Sequence, residues 1–464
     1  MIYHHLFDQV KEKRTVRAGL IGSGHYGTAV ITQARYIPLL EISVIADVDP
    51  QAARLAYHCA GITDDEIVVC DSRADAMCAM EAGKFVITED PMLLMDIPID
   101  VVVESTGVPE AGALHAYEAI QHGKHVAMIN KETDAVIGPI LKHLADKAGV
   151  VYTPVDGDQH GLLIGLVLWA RSLGLEVLSG GKARNNECIY DPKARTVSCG
   201  RSTVSINESE AWALDRIPEG EANRYISARR EILASLPKTS NSDLGEMTVA
   251  ANATGLMPDV PELHLPVVRI SEIPEVPCPV EEGGILETKG AIEIVTCLRG
   301  TDEAGLGGGV FIVVSCENDY SRTILTTKGL IPNSRGSTAV IYRPYHLCGV
   351  ETPISILSAA LLNVPTGAAT VKPHVDLVAK PNCELKTGTI LGGGHSNDID
   401  AAILPASPIA TGKPLPLYLL TGNGLSRDVG ADTLITQEMV DPPADSLLWS
   451  LRQQQDAHFG LEGT

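Results

Sequence analysis

The sequence predicts an α/β fold: a doubly wound parallel sheet over residues 1–155, an inserted α+β domain over 156–364, and a small β-rich module with a tail over 365–464. Three observations carry this expectation. Short apolar runs alternate with helical stretches through the first third of the chain, the pattern of βαβ units. A glycine-rich turn, Gly22-Ser23-Gly24-His25-Tyr26-Gly27, closes the first run. Past residue 365, Gly and Pro turns separate short segments and helical periodicity fades.

Each element has its own local reason. Residues 1–14 read as a helix or arm. Residues 16–21 and 42–46 are apolar runs, each followed by an amphipathic or helical stretch, 28–36 and from 51 on. Strand 66–69 precedes a helix over 72–83. Strand 100–104 leads into Ser105-Thr106-Gly107 and a helix over 112–122. Strand 125–129 ends in Asn130-Lys131-Glu132, and 150–152 is another strand. Right-handed crossovers then put every loop that follows a strand on one edge of the sheet, where ligands bind. In the middle domain, 310–315 and 339–342 are apolar runs, and Thr352-Pro353 starts a helix with the proline in its first turn. The tail over 446–464 ends in a short helix or frays.

Composition excludes whole classes of partner. The 464 residues carry 36 Lys and Arg against 58 Asp and Glu, a formal charge of −22. Nucleic acids and anionic membranes demand a basic footprint that this chain lacks. A small anionic ligand needs only a local basic pocket. The N-terminus, MIYHHLFDQVKEKRT, has no hydrophobic targeting core, and the longest apolar stretch, around 161–170, is half a membrane span. The ten cysteines form no CxxC pair, so they read as reduced and mostly buried. The expectation is a cytoplasmic protein with a small-molecule substrate, no nucleic-acid or membrane partner, and, from the apolar area of the middle domain, a homodimer.

The turn over 22–27 fits G-x-G-x-x-G between a strand and a helix, the setting a dinucleotide needs. Gly22 permits the turn, Gly24 admits the pyrophosphate, and Gly27 allows helix–strand packing. Ser23, His25 and Tyr26 fill the loop. Asp47, 20 residues past Gly27, ends the second strand as a ribose-binding carboxylate would. The domain is therefore of Rossmann type and the cofactor is NADP or NAD. Asp47 favours the free 2′-hydroxyl of NAD, while Arg54, one turn into the next helix, is placed to reach a 2′-phosphate. Ser105, Thr106, Gly107 and Asn130 follow predicted strands and lie beside the nicotinamide end.

Lys131 sits where a substrate oxygen would meet the hydride path. A lysine there polarises a carbonyl or passes a proton. Asp156 and Asp158, in the turn Asp156-Gly157-Asp158-Gln159-His160-Gly161, can orient Lys131, act as acid and base, or hold a divalent cation. Residues 180–186 read as a basic loop after an apolar run; its Lys182, Arg184 and Asn185 concentrate cations and amides and suit a phosphate or a polyol. Asn252 lies in a small polar stretch, and Arg343 and His346 follow a β-like run, all three as candidate substrate contacts. Glu351 precedes a helix.

With these residues in hand, the chain resembles the homoserine dehydrogenase-like oxidoreductases with a C-terminal SAF-type domain. More narrowly, it is similar to the 1-deoxy-D-xylulose 5-phosphate reductoisomerase-like group. The matching stretches run through nearly the whole chain: GLIGSGHYG, VVVESTGVPE, INKETDAVIGP, YTPVDGDQHG, GGKARNN, ANATGLMPDV, EEGGILETKG, YRPYHLCGVETPISILSAAL and LKTGTILGGG with LPLYLLTGNGLSRDVGADTLIT. The resemblance implies a Rossmann domain, an inserted catalytic domain and a C-terminal β-clip module. It also implies an NAD(P)H-dependent reaction on a small, phosphorylated hydroxy-carbonyl, assisted by Mg²⁺ or Mn²⁺. On that reading Lys131 serves the oxyanion, Lys182, Arg184 and Arg343 hold the phosphate, and Asp156 or Asp158 with Glu351 are the metal or acid–base groups, Asp158 and Glu351 being the metal pair. A dehydrogenase without isomerisation, acting on homoserine or a sugar-derived hydroxy acid, is the rival. A cofactor-bound sensor is the other.

Overall fold

The computed structural model describes residues 3–10, 14–237, 240–394 and 396–461. Seven strands form the first sheet: β1 (Val16–Ile21), β2 (Leu40–Ala46), β3 (Ile67–Val69), β4 (Phe85–Thr88), β5 (Val101–Glu104), β6 (His125–Met128) and β7 (Tyr152–Pro154). Their order is β3-β4-β2-β1-β5-β6-β7, and every pairing is parallel. The expected doubly wound sheet is present. Its inner strands are mostly apolar and buried because helices cover both faces; all four residues of β5 are buried. The order reverses at β1, between β2 and β5, and that switch point opens the crevice in which such sheets bind ligands.

Polar caps start the helices at this edge. Asp49 accepts from Gln51 N ahead of helix Pro50–Cys59, Asn130 from Thr133 N ahead of helix Lys131–Ala148, and Asp158 from Gln159 N ahead of helix Gln159–Ser172. Lys131 is thus the first residue of a helix, and Asp158 is a cap, where the sequence reads as loops. β4 is an element the sequence pattern did not single out. Of the expected N-terminal arm, Tyr3–Asp8 is helical, and residues 1–2 and 11–13 lie outside the described ones, as do 462–464 of the tail.

The second sheet is built from β8 (Glu176–Ala183), β9 (Cys188–Asp191), β10 (Thr196–Cys199), β11 (Ser202–Ser205), β12 (Met257–Pro258), β13 (Val267–Val268), β14 (Ala291–Arg299), β15 (Val310–Ser315), β16 (Ile331–Pro332) and β17 (Thr338–Arg343). β8 lies between β14, which it pairs in parallel, and β15, which it pairs antiparallel. This corrects the reading of residues 180–186 as a loop: Gly180 to Ala183 continue the strand. Two glycines look like a turn in the sequence, but here they let a central strand approach its neighbours closely. A Cβ on Gly180 would stand 3.1 Å from Leu256, and one on Gly181 would overlap the Glu293 carbonyl oxygen.

The expected helix after Thr352-Pro353 is present as Thr352–Leu357, but its cap position is Glu351; the Thr352 hydroxyl donates instead to Asp156 O at 3.0 Å. Residues past 365 contribute an antiparallel ribbon, β18 (Val375–Pro381) with β19 (Ile399–Pro405), and a set of single bridges. The C-terminal helix, Leu447–His458, returns to pack on helices Pro109–Gln121 and Lys131–Ala148. Buried Arg452 holds this return in place, with both terminal nitrogens on Asp376 at 2.6 and 2.7 Å and Nε on Asp456 at 2.7 Å.

Candidate active site

The glycine turn has the shape that a dinucleotide requires. Gly22 has φ +91°, a conformation that favours glycine. A Cβ on Gly27 would overlap the Gly22 carbonyl oxygen, so the helix can pack this tightly on the turn only with glycine there. A Cβ on Gly24, by contrast, would meet no described atom within 4 Å, which leaves an open cradle at the N-terminus of helix His25–Ala34. Asp47 holds the turn from β2: its Oδ2 accepts from Ser23 N and from Ser23 Oγ, both at 2.6 Å, and its Oδ1 from Asp49 N at 2.9 Å. Arg54 is paired with Asp64 at 2.6 Å. Tyr26 turns toward the middle domain, its hydroxyl 3.1 Å from Thr352 Oγ1.

Across the switch point, Ser105 N donates to Ile21 O at 2.9 Å, which joins the end of β5 to that of β1. Thr106 Oγ1 donates to Glu104 Oε1 at 2.6 Å, and Asn130 Nδ2 donates to Thr106 Oγ1 and Val108 O at 3.2 and 3.1 Å. Gly107, with φ +68°, faces open space. These residues line one edge, as their places after strands imply.

Beside this edge lies a cluster of lysines and carboxylates. Lys131 Nζ stands 3.7 Å from Glu132 Oε1 and 3.7 Å from Glu246 Oε1. Lys182, 1% exposed, donates to Asp243 Oδ1 at 2.6 Å and to Glu246 Oε2. Burial works against both ammonium charges, but the carboxylates outweigh it. Glu246, Glu132 and Asp158 raise Lys131 above its ordinary pKa, and Glu246 and Asp243 do the same for Lys182. Asp158 is buried yet held below the usual carboxylate range, because His160, Lys131, the Gln159 amide and Lys182 favour its charge. Burial raises Glu132 in spite of Lys131. Both lysines therefore carry charge in a site largely closed to water. Lys131 keeps the more open position.

Asp243 and Glu246 lie on helix Asn241–Thr254 and were not singled out from the sequence; neither was Glu132. His160 is fully buried, and neither ring nitrogen has a hydrogen-bond partner among the described residues.

The remaining candidates sit elsewhere. Asp156, Arg343 and Glu351 form a second group, in which Arg343 pairs with Glu351. Burial, then Glu351, raises the Asp156 carboxyl to about 7, against the pull of Arg343. Arg184 donates to Pro237 O at 2.8 Å and Thr296 Oγ1 at 3.4 Å. Asn185 and His346 converge on Gly308, whose carbonyl oxygen lies 2.7 Å from His346 Nδ1. Asn252 ties the middle domain to the ribbon: its Oδ1 accepts from His374 N and Val375 N, and its Nδ2 donates to Val375 O at 3.1 Å. Lys182, Arg184 and Arg343 are therefore each engaged with different protein partners. Asp158 faces the lysines, whereas Glu351 faces Arg343. Among the described residues, no group of three or more His, Cys, Asp or Glu side chains is arranged to hold a metal ion.

Residues 157–352 match the family described as Oxidoreductase DRL, catalytic domain, and residues 43–154 match Homoserine dehydrogenase, NAD binding domain. Both matched regions are therefore similar to domains of NAD(P)-dependent oxidoreductases. Among curated proteins, the chain is 36% identical over 91 residues to the 1-deoxy-D-xylulose 5-phosphate reductoisomerase of Pelodictyon phaeoclathratiforme, which is 19% of this chain and 23% of that one. It is 35% identical over 69 residues to the enzyme of the same name from Leptospira biflexa, 15% and 18% of the two chains. The matched stretch thus spans under a quarter of either relative. Among solved structures, a probable dehydrogenase from Thermotoga maritima is 13% identical, with a TM-score of 0.38 over 77% of this chain and 91% of that one. Among the described residues, no helix is long and apolar enough to cross a membrane.

Proposed function

We propose that this protein is an NAD(P)-dependent oxidoreductase that reduces the carbonyl of a small polyhydroxylated substrate, with Lys131 as the group that meets the carbonyl oxygen. A bound nicotinamide supplies the hydride. The observation that carries this reading is the pair of charged lysines sharing Glu246 beside the C-terminal ends of β6 and β7. As negative charge grows on the substrate oxygen, the Lys131 ammonium stabilises it and gives it a proton from Nζ. Glu246, 3.7 Å from Nζ, is placed to help return that proton from water. Lys182 stays bound to Asp243 and Glu246 and fixes the carboxylate. The glycine turn and the His25–Ala34 helix N-terminus hold the cofactor pyrophosphate. Asp47 at the end of β2, with Arg54 already paired to Asp64, favours NAD over NADP.

Four carboxylates surround the two lysines, so the cluster is not an anion trap; it suits substrate hydroxyls and a carbonyl. The rearranging form, conversion of a phosphorylated ketose, is a second reading, supported by the partial likeness to the reductoisomerases. The test is a screen of free and phosphorylated hydroxy-carbonyls with NADH and NADPH, with and without Mg²⁺ or Mn²⁺. Substrate-dependent cofactor oxidation, abolished in Lys131→Ala with cofactor binding intact, is the expected result. No turnover across the panel overturns the reading and favours a cofactor-bound sensor. Turnover only of 1-deoxy-D-xylulose 5-phosphate with metal selects the second form.

A further inference from the structure

Tyr418 belongs to the module past residue 365, far in sequence from every lysine and carboxylate of the active-site cluster. It sits in the short helix Leu417–Leu420, which packs against helix Lys131–Ala148. Its side chain is 2% exposed, and its hydroxyl has no hydrogen-bond partner among the described residues. A buried hydroxyl left unpaired costs about 1–3 kcal/mol, so a phenylalanine would fill this place more stably if packing were the residue's only role.

The surroundings of the hydroxyl say where it points. A Cβ on Gly245 would lie 2.6 Å from it, and one on Gly394 would lie 3.0 Å from it. Gly245 stands between Asp243 and Glu246 on helix Asn241–Thr254, the two acids that hold Lys182. The hydroxyl is thus walled on two sides by residues without side chains, against the turn that carries the cluster's acids. The electrostatics agree. Burial first, then Glu132, Glu246 and Asp243, raise the phenol well above its ordinary pKa, so it stays a neutral donor.

We propose that the Tyr418 hydroxyl is a substrate-binding donor, delivered by the C-terminal module, that pairs with an oxygen of the substrate held at Lys131. The inference rests on the proposed reduction of a hydroxy-carbonyl. It makes the C-terminal module part of the active site and gives it a share in choosing the substrate, through a hydrogen bond that the first two domains do not supply.

The test compares the full-length wild type with Tyr418→Phe, using the panel member with the highest kcat/KM. The expected result has three parts: a melting temperature equal to or above that of the wild type, an unchanged Kd for NAD(P)H by fluorescence, and a kcat/KM lowered 10- to 100-fold. A kcat/KM within twofold of the wild type overturns the proposal. So does a lower melting temperature, since it reveals a structural partner for the hydroxyl. Should no panel member turn over, the catalytic reading fails on its own. The Tyr418 proposal is then decided by thermal shift with the same panel and NAD(P)⁺. A stabilisation seen in the wild type and lost in Tyr418→Phe supports it. Equal stabilisation of both proteins, or of neither, overturns it.

Discussion

Glu246 divides its carboxylate between two lysines: Oε2 accepts from buried Lys182, while Oε1 lies 3.7 Å from Lys131 Nζ. One lysine anchors the acid and the other is placed to use it. The first prediction follows. Glu246→Gln leaves Lys182 paired with Asp243 but removes the largest of the carboxylate contributions that hold Lys131 charged. The expected outcome is a drop in kcat/KM of about 10²-fold, with NAD(P)H affinity unchanged. In a pH–rate profile, the limb that reports Lys131 should move to lower pH. An unchanged profile would remove Glu246 from the mechanism.

Asp156 gives a pH test in the second group. Its carboxyl titrates at about 7 in the folded protein because it is buried beside Glu351. Unfolded, it titrates near 4. Between those values the folded state binds more protons than the unfolded one, so stability falls as pH rises from about 4 to about 7 and stays reduced above that. Asp156→Asn removes this slope. Denaturation midpoints across pH 4 to 8 should show the variant gaining on the wild type as pH rises, by about 2–4 kcal/mol at pH 8. Parallel curves would mean that Asp156 carries its charge in the fold.

How much of this was legible in the sequence depends on how local each signal is. The 22–27 turn, Asp47 and the strand ends at Glu104 and Met128 are set by a few neighbouring residues, and apolar runs beside glycine mark them well. Lys131 could be placed near the sheet edge because it directly follows a strand. Asp243 and Glu246 could not, since they reach the two lysines only after the chain crosses two sheets, on a helix whose capping and packing show no chemistry. Lys182 reads as part of a loop because Gly180 and Gly181 imitate a turn; only the tight fit against Glu293 and Leu256 reveals a strand. Arg343 reads as an anion-binding cation, but its carboxylate partner, Glu351, is a neighbour in space that spacing alone does not disclose.

A third prediction concerns how the C-terminal helix is held. Pro139 interrupts the hydrogen-bond ladder of helix Lys131–Ala148. Gln455 fills the gap: its Oε1 accepts from Ile140 N at 3.2 Å and its Nε2 donates to Val136 O at 3.0 Å. Gln455→Leu therefore orphans two buried backbone groups and should cost about 2–4 kcal/mol in urea melts. Adding Pro139→Ala lets Ile140 N and Val136 O bond each other again. The double variant should then recover much of the loss, so the two changes should be non-additive. Strict additivity would show that the amide and the proline act independently.

The last prediction separates the fold's use of the glycine turn from the cofactor's. Gly27 and Gly24 belong to one motif, but their surroundings differ. Alanine at 27 would drive its methyl into the Gly22 carbonyl oxygen, which is backbone and cannot swing aside, so the helix must move off the turn. Alanine at 24 would meet no described atom within 4 Å; its methyl projects into the space the pyrophosphate must enter. Gly27→Ala should therefore lower both the melting temperature and NAD(P)H affinity. Gly24→Ala should leave the unliganded unfolding free energy within about 0.5 kcal/mol of the wild type while weakening NAD(P)H at least tenfold by fluorescence titration. The contrast matters more than either value. If Gly24→Ala bound the cofactor as tightly as the wild type, the pyrophosphate would not lie over the helix N-terminus, and the cofactor would have to enter the crevice in another pose.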